Sequence, residues 1–201
     1  MWEIIQAAGW PIWPLIFTSI IGFAIIIERS FSLRDNLIIP KKLWLDLQTQ
    51  LKQGTIKKEA IQVLRESSML GEVLATVLKN HTQPLDVLKD SVQQTGESIS
   101  FRLEKHLPLL AMISTVAPLL GLFGTIIGMV ELFGSFTSSG HDVAVFARGI
   151  SVALYNTAGG IVVAVPAMIA YRFFRSKVNH QINVMEEHAA LLIELTRDER
   201  K

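Results

Sequence analysis

The stretch Leu107–Val130, LPLLAMISTVAPLLGLFGTIIGMV, holds 24 residues without a charge. The hydrocarbon core of a bilayer is about 30 Å thick, and a helix needs roughly 20 residues to cross it. This stretch is therefore a candidate span. On its C-terminal side, Gly149–Tyr171 gives 23 further uncharged residues. On its N-terminal side, Ile4–Ile27 gives another 24, with Pro11 and Pro14 near the start. The helical part of that first block is expected over Ile12–Ile27, running on into Glu28 and Arg29. A cleaved signal peptide fits the block poorly, because no basic segment precedes it and no small-residue cleavage site follows.

Composition points the same way. Half of the 201 residues are hydrophobic and 18% are charged, where a soluble domain carries about a quarter. Mean hydropathy is +0.38. A net charge of +1 gives no reason to expect nucleic-acid binding. The absence of cysteine excludes a disulfide framework, a thiolate zinc site and a Cys nucleophile. The 5 histidines show no HxxxH or HExxH spacing, so neither a metal nor a cofactor is expected. Gly121, Gly124 and Gly128 lie within an apolar span and follow no strand, so they are not a phosphate loop. No nucleophile with an acid–base partner is visible, and an enzyme is not expected.

The basic residues set the orientation. Residues 1–28 contain no Lys or Arg, and 29–106 contain 12 of the 19. Residues 132–147 contain none, Arg148 stands apart, and 172–201 carry the remaining 6. Three passes therefore leave 18 of 19 on one side. The expected organisation has residues 1–29 as an N-terminal segment (outside) and first span, and 30–106 as a cytoplasmic helical domain. It continues with 107–133 as the second span, 134–142 as a periplasmic loop, 143–171 as the third span and 172–201 as a cytoplasmic C-terminal helix. Glu131 and Arg148 fall at the outer boundary and read as interface residues.

The segments outside the spans read as helical. Lys41–Gln53 ends before Gly54, a C-cap residue type. Thr55 can cap Ile56–Glu66, and Ser67 or Ser68 can cap a segment reaching Asn80. Thr82 and Pro84 mark another start. No strong breaker follows until Pro108, so the spacing predicts one helix from Pro84 into the second span, about 50 residues and roughly 75 Å long. Asp142 can cap a helix that includes the third span and continues to Thr196. In its tail, Val178, Ile182, Met185, Ala189 and Leu192 fall at alternating 4-3 spacing. That stripe fits packing within the chain or against another subunit. The fold class is thus an all-α integral membrane protein with three transmembrane helices, the second and third extended into the cytoplasm as a long helical bundle.

Inside the spans, polar and small residues are patterned. At about 100° per residue, Ser114, Pro118, Gly121, Thr125 and Gly128 share a face of the second span. Ala153, Thr157, Gly160 and Ala164 share a face of the third. Small residues let helices approach closely and hydroxyls bond across the contact, so one reading is helix packing. The other is the lining of a narrow polar path, since hydroxyls both donate and accept and can relay a proton. Asn156 adds an amide on a different face from Thr157. No Asp, Glu, Lys, Arg or His lies in the core of any span. Such a charge costs about 3 kcal/mol on insertion scales and usually marks an ion relay. Either the chain moves no protons, or another chain supplies the titrating group.

Two runs resemble a known family. Ala117-Pro118-Leu119-Leu120-Gly121-Leu122-Phe123-Gly124-Thr125-Ile126-Ile127-Gly128-Met129 is similar to the second-span signature of the MotA/TolQ/ExbB proton channel family. Gly149–Gly160, GISVALYNTAGG, followed by Val163-Ala164-Val165-Pro166-Ala167, is similar to its third-span signature. Three spans fit the ExbB and TolQ branches, and the Gly-Trp-Pro region and compact middle segment look most like ExbB. The resemblance implies a homopentamer in the bacterial inner membrane, enclosing copies of an ExbD-like single-span partner whose membrane Asp carries the proton. It implies that the proton-motive force is passed through a TonB-like protein to outer-membrane transport of siderophores, haem or cobalamin. It places Thr125 and Thr157 in the proton path facing the partner, with Ser114 and Asn156 behind them. Pro118, Gly121, Gly124, Gly128, Ala153, Gly160 and Ala164 then pack the helices. Many members carry Glu where this chain has Val152, so no role of that Glu is carried over. A TolQ-like subunit of a Tol-Pal envelope machine and a passive membrane scaffold are the alternatives.

Overall fold

The computed structural model describes residues 9–52, 58–139 and 143–198. Among them are eight helices and no strand. They are α1 (Ile12–Ser32), α2 (Asp35–Ile38), α3 (Lys41–Lys52), α4 (Lys58–Ser67), α5 (Met69–Asn80), α6 (Leu85–Leu103), α7 (Leu107–Ser139) and α8 (Val143–Asp198). Three segments are long and apolar enough to cross a membrane: Ile12–Ser32, Leu107–Gly134 and Gly149–Arg197. The capping positions expected at Gly54, Thr55 and Asp142 lie outside the described residues.

The chain divides into two compact units. The first, Met1–Glu28 with His106–Phe173, holds the most apolar parts of α1, α7 and α8. Its core is small: Leu15, Ala117 and Ala164 are buried together, with Leu120 and Val163 packed on them. A Cβ on Gly22 of α1 would meet Ile113 Cγ2 at 3.5 Å, and the Trp10 ring meets Phe123 edge-on at 6.2 Å. The outward side chains are large and apolar, among them Phe17, Phe23, Leu119, Val162 and Ile169. In water that much exposed apolar surface would be unfavourable; lipid tails solvate it without penalty.

The second unit is Arg29–Lys105 with Phe174–Lys201. Ser68 caps α5 in extended conformation, its hydroxyl accepting from Gly71 N at 3.0 Å. One face of α5 is then wholly buried through Leu70, Leu74 and Val77. The tail of α8 packs here: Val178, Met185, Ala189 and Leu192 are buried. His188 meets Trp44 edge-on at 4.8 Å. The 4-3 stripe is therefore covered within the chain. Gln181, buried beside the stripe, donates to Leu33 O at 3.0 Å and to Asp35 Oδ1 at 2.6 Å.

Two expectations are corrected. The single helix from Pro84 through the second span is two helices: α6 ends at Leu103 and α7 begins at Leu107. Pro108 causes the break, since it offers no N–H to the carbonyl of Glu104 and its ring clashes with that carbonyl. Glu104 is accordingly the C-cap of α6, and Pro108 sits in the first turn of α7, where donors have no intrahelical partner. The turn needs a left-handed residue, and His106 supplies it at φ 69°, at a cost of about 1–2 kcal/mol. The second correction concerns residues 134–139, the described part of the 134–142 segment expected as a loop. α7 continues to Ser139, because Gly134 costs only about 1 kcal/mol against Ala and no proline follows. The third span meets its expectation differently: α8 runs 56 residues through Pro166 without interruption.

Candidate functional site

Glycine lets α7 and α8 touch backbone to backbone. A Cβ on Gly121 would lie 2.7 Å from Asn156 O and 3.1 Å from Thr157 Cα. A Cβ on Gly160 would lie 2.7 Å from Ala117 O and 3.2 Å from Pro118 Cα. No side chain fits at either position, so the crossing exists only because both are glycine. Gly124 is the seat of Asn156, whose Cβ and Cγ would each stand 2.8 Å from a Cβ there. Gly128 faces Ala153 more loosely, at 3.5 Å. Ala164 joins Ala117 and Leu15 in the core. Every small residue assigned to packing thus lies in a helix contact of this unit.

The close approach brings two hydroxyls together. Thr125 Oγ1 and Thr157 Oγ1 are 2.5 Å apart, both side chains half-buried. Around them stand backbone acceptors: Ala153 O and Gly121 O lie 2.9 Å and 3.2 Å from Thr125, and Gly121 O lies 3.5 Å from Thr157. Each hydroxyl has one proton. In one arrangement Thr157 donates to Thr125, which donates to Ala153 O; in the other Thr125 donates to Thr157, which turns its proton toward Gly121 O. The pair therefore has two hydrogen-bonded states that interconvert by rotating two hydroxyls.

The other two candidates stand apart from the pair. Ser114 is buried and donates to Ala111 O of its own helix at 2.7 Å; 11 residues separate it from Thr125, about 16 Å along α7. Asn156 is 2% exposed and flanks the pair beside Gly124. The side chains of Val152 and Arg148 lie outside the described residues. The sequence reading missed the carbonyls of Ala153 and Gly121 as partners of the threonines, and the first-span contacts of Leu15 with Gly159 (3.2 Å to a Cβ there) and of Gly22 with Ile113. Their signal was weak: one small residue on each face names no partner. Among the described residues no cluster of three His, Asp or Glu side chains could hold a metal.

Hydroxyls can orient and pass a proton but cannot store one near neutral pH, and the span cores contain no group that can. Three apolar spans of which two share a hydroxyl-bearing, glycine-built contact define a multi-pass helical membrane protein with a polar seam. The chain belongs to the MotA/TolQ/ExbB proton channel family, whose model matches residues 65–187. It is 31% identical over 199 residues to the biopolymer transport protein ExbB of Pseudomonas putida, across 92% of this chain and 58% of that protein. The chain therefore spans somewhat over half the length of that relative.

Proposed function

We propose that this chain is a proton-channel and motor subunit of a bacterial inner membrane. It works with an ExbD-like single-span partner that brings a membrane Asp, and it uses the proton-motive force to energise TonB-dependent outer-membrane transport. The observation that carries the reading is the Thr125–Thr157 hydroxyl pair in spans whose cores hold no Asp, Glu, Lys, Arg or His. Similarity to a relative named for biopolymer transport favours the ExbB branch over a TolQ-like subunit. No covalent chemistry and no cofactor is required, so the chain is read as a transport component and not an enzyme.

In this mechanism several copies, five by family analogy, surround the partner helices. The partner's carboxylate approaches the threonine pair, and the hydroxyls switch between their two states as the proton is taken up or handed on. The apolar surround favours the neutral carboxylate while it crosses the dry stretch. Thr157→Val keeps shape and removes the hydroxyl, while Thr157→Ser keeps it. Uncoupler-sensitive siderophore uptake should fall on the order of a hundred-fold in the first, the lower end for positioned proton transfer, and persist in the second. A Thr157→Val protein that assembles and takes up siderophore at the wild-type rate would remove the reading. The scaffold alternative predicts instead that Thr125→Ala and Thr157→Ala lower assembly and leave energisation unchanged.

A further inference from the structure

A titratable pair stands at the other end of these helices. His106 Nδ1 lies 3.4 Å from Glu28 Oε2, the two side chains being 41% and 45% exposed. Glu28 is on α1 and His106 immediately precedes α7. Thr125 is 19 residues further along, about 28 Å by helical rise and close to a full hydrocarbon thickness. The pair therefore lies at one end of the crossing, and Thr125 lies within it, 6 residues before Glu131 at the outer boundary. His106 is also, among the described residues, the non-glycine residue with positive φ, at 69°. Glycine or asparagine would fill that turn with less strain. Histidine is, with asparagine and aspartate, among the non-glycine residues found most often in that conformation. Imidazole is the side-chain type that takes up and gives away a proton between about pH 5 and 8.

We propose that His106, oriented by Glu28, is the station at which protons leave the membrane path for the cytoplasm. This rests on the proposed function above and on the orientation expected from the basic residues. The Glu28 carboxylate faces Nδ1, which leaves Nε2 as the ring nitrogen turned to exchange a proton. Nε2 accepts a proton that has left the partner's carboxylic acid and releases it to water, so one proton enters and one leaves per cycle. The neighbours of His106 in sequence carry charges of their own: Lys105 is exposed, and Glu104 pairs with Arg175 inside the other unit. Arg172, in the same unit as His106, is exposed. In its own unit, among the described residues, the acid beside this ring is Glu28.

The positive φ makes the test sharp. His106→Gly removes the imidazole and relieves the backbone, and His106→Asn keeps a polar residue that tolerates the same conformation without titrating. Each full-length variant is expressed with its partner, and uncoupler-sensitive uptake is measured with and without imidazole, a permeant buffer, in the medium. Both variants should assemble, take up siderophore several-fold more slowly than wild type, and recover when imidazole is added. Wild-type uptake in His106→Gly would overturn the proposal. So would slow uptake that imidazole leaves unchanged, or failure of both variants to assemble, since either assigns the ring a structural role. Thr157→Val run in parallel separates the two readings. If it is dead in both media while His106→Gly is normal, this inference alone fails; if Thr157→Val is also normal, the proposed function falls and this inference with it.

Discussion

At the scale of single residues, the α7–α8 contact distinguishes glycines that look alike in sequence. Gly121 and Gly128 lie on the same face of one span, seven residues apart. A Cβ at Gly121 would press on Asn156 O at 2.7 Å, a backbone atom that cannot step aside, whereas at Gly128 the nearest atom is 3.5 Å away. Gly121→Ala should therefore cost about 1–3 kcal/mol through overpacking and part the threonine hydroxyls. Gly128→Ala should be neutral or stabilising by up to about 1 kcal/mol, because alanine is the better helix former. Thermal unfolding of the two variants in detergent checks the contrast, and equal losses would contradict it. The face itself was legible from the 3.6-residue period. Which glycine was indispensable was not, because that depends on the depth at which the second helix crosses the first. Likewise Thr125 and Thr157 were readable as a pair of faces, but their shared hydrogen bond needed both helices in register.

At the scale of elements, the spans were legible because hydropathy is summed over about twenty residues and no single position decides it. The break between α6 and α7 was not, although its cause, Pro108, was in plain view. Proline acts on the carbonyl four residues earlier, so the helix ends at Leu103 and not at the proline. The C-terminal end of α6, whose last carbonyls have no intrahelical partner, is then held from outside. Arg29, buried at the end of α1, donates to Leu103 O at 3.2 Å. A cation there also complements the negative end of the helix dipole. Arg29→Met retains most of the apolar stem and removes the donor. It should destabilise by about 1.5–3 kcal/mol, the range for a hydrogen bond to a charged group. Amides near Ser100 and Leu103 should then exchange faster, while those near Leu85, at the far end of α6, keep their protection. Uniform loss of protection along α6 would point to global unfolding instead.

At the scale of the molecule, the charge distribution and the empty span cores make one statement. Three passes would leave eighteen of nineteen basic residues on one side, and the span cores hold no Asp, Glu, Lys, Arg or His. A hydroxyl pair about 28 Å from His106 along α7 cannot bridge that distance, and a bare proton in hydrocarbon is far more costly than the few kcal/mol of a single buried charge. On the proposed reading the chain supplies hydroxyls within the span and an imidazole at its end, and it lacks a carrier between them. Liposomes containing this chain alone should show voltage-driven proton influx no greater than protein-free liposomes. Adding the single-span partner should produce influx, and the partner's membrane Asp changed to Asn should abolish it while leaving the complex intact by native mass measurement. Substantial influx through the chain alone would mean that water threads the Thr125–Thr157 seam by itself, and the partner carboxylate would lose its place in the mechanism.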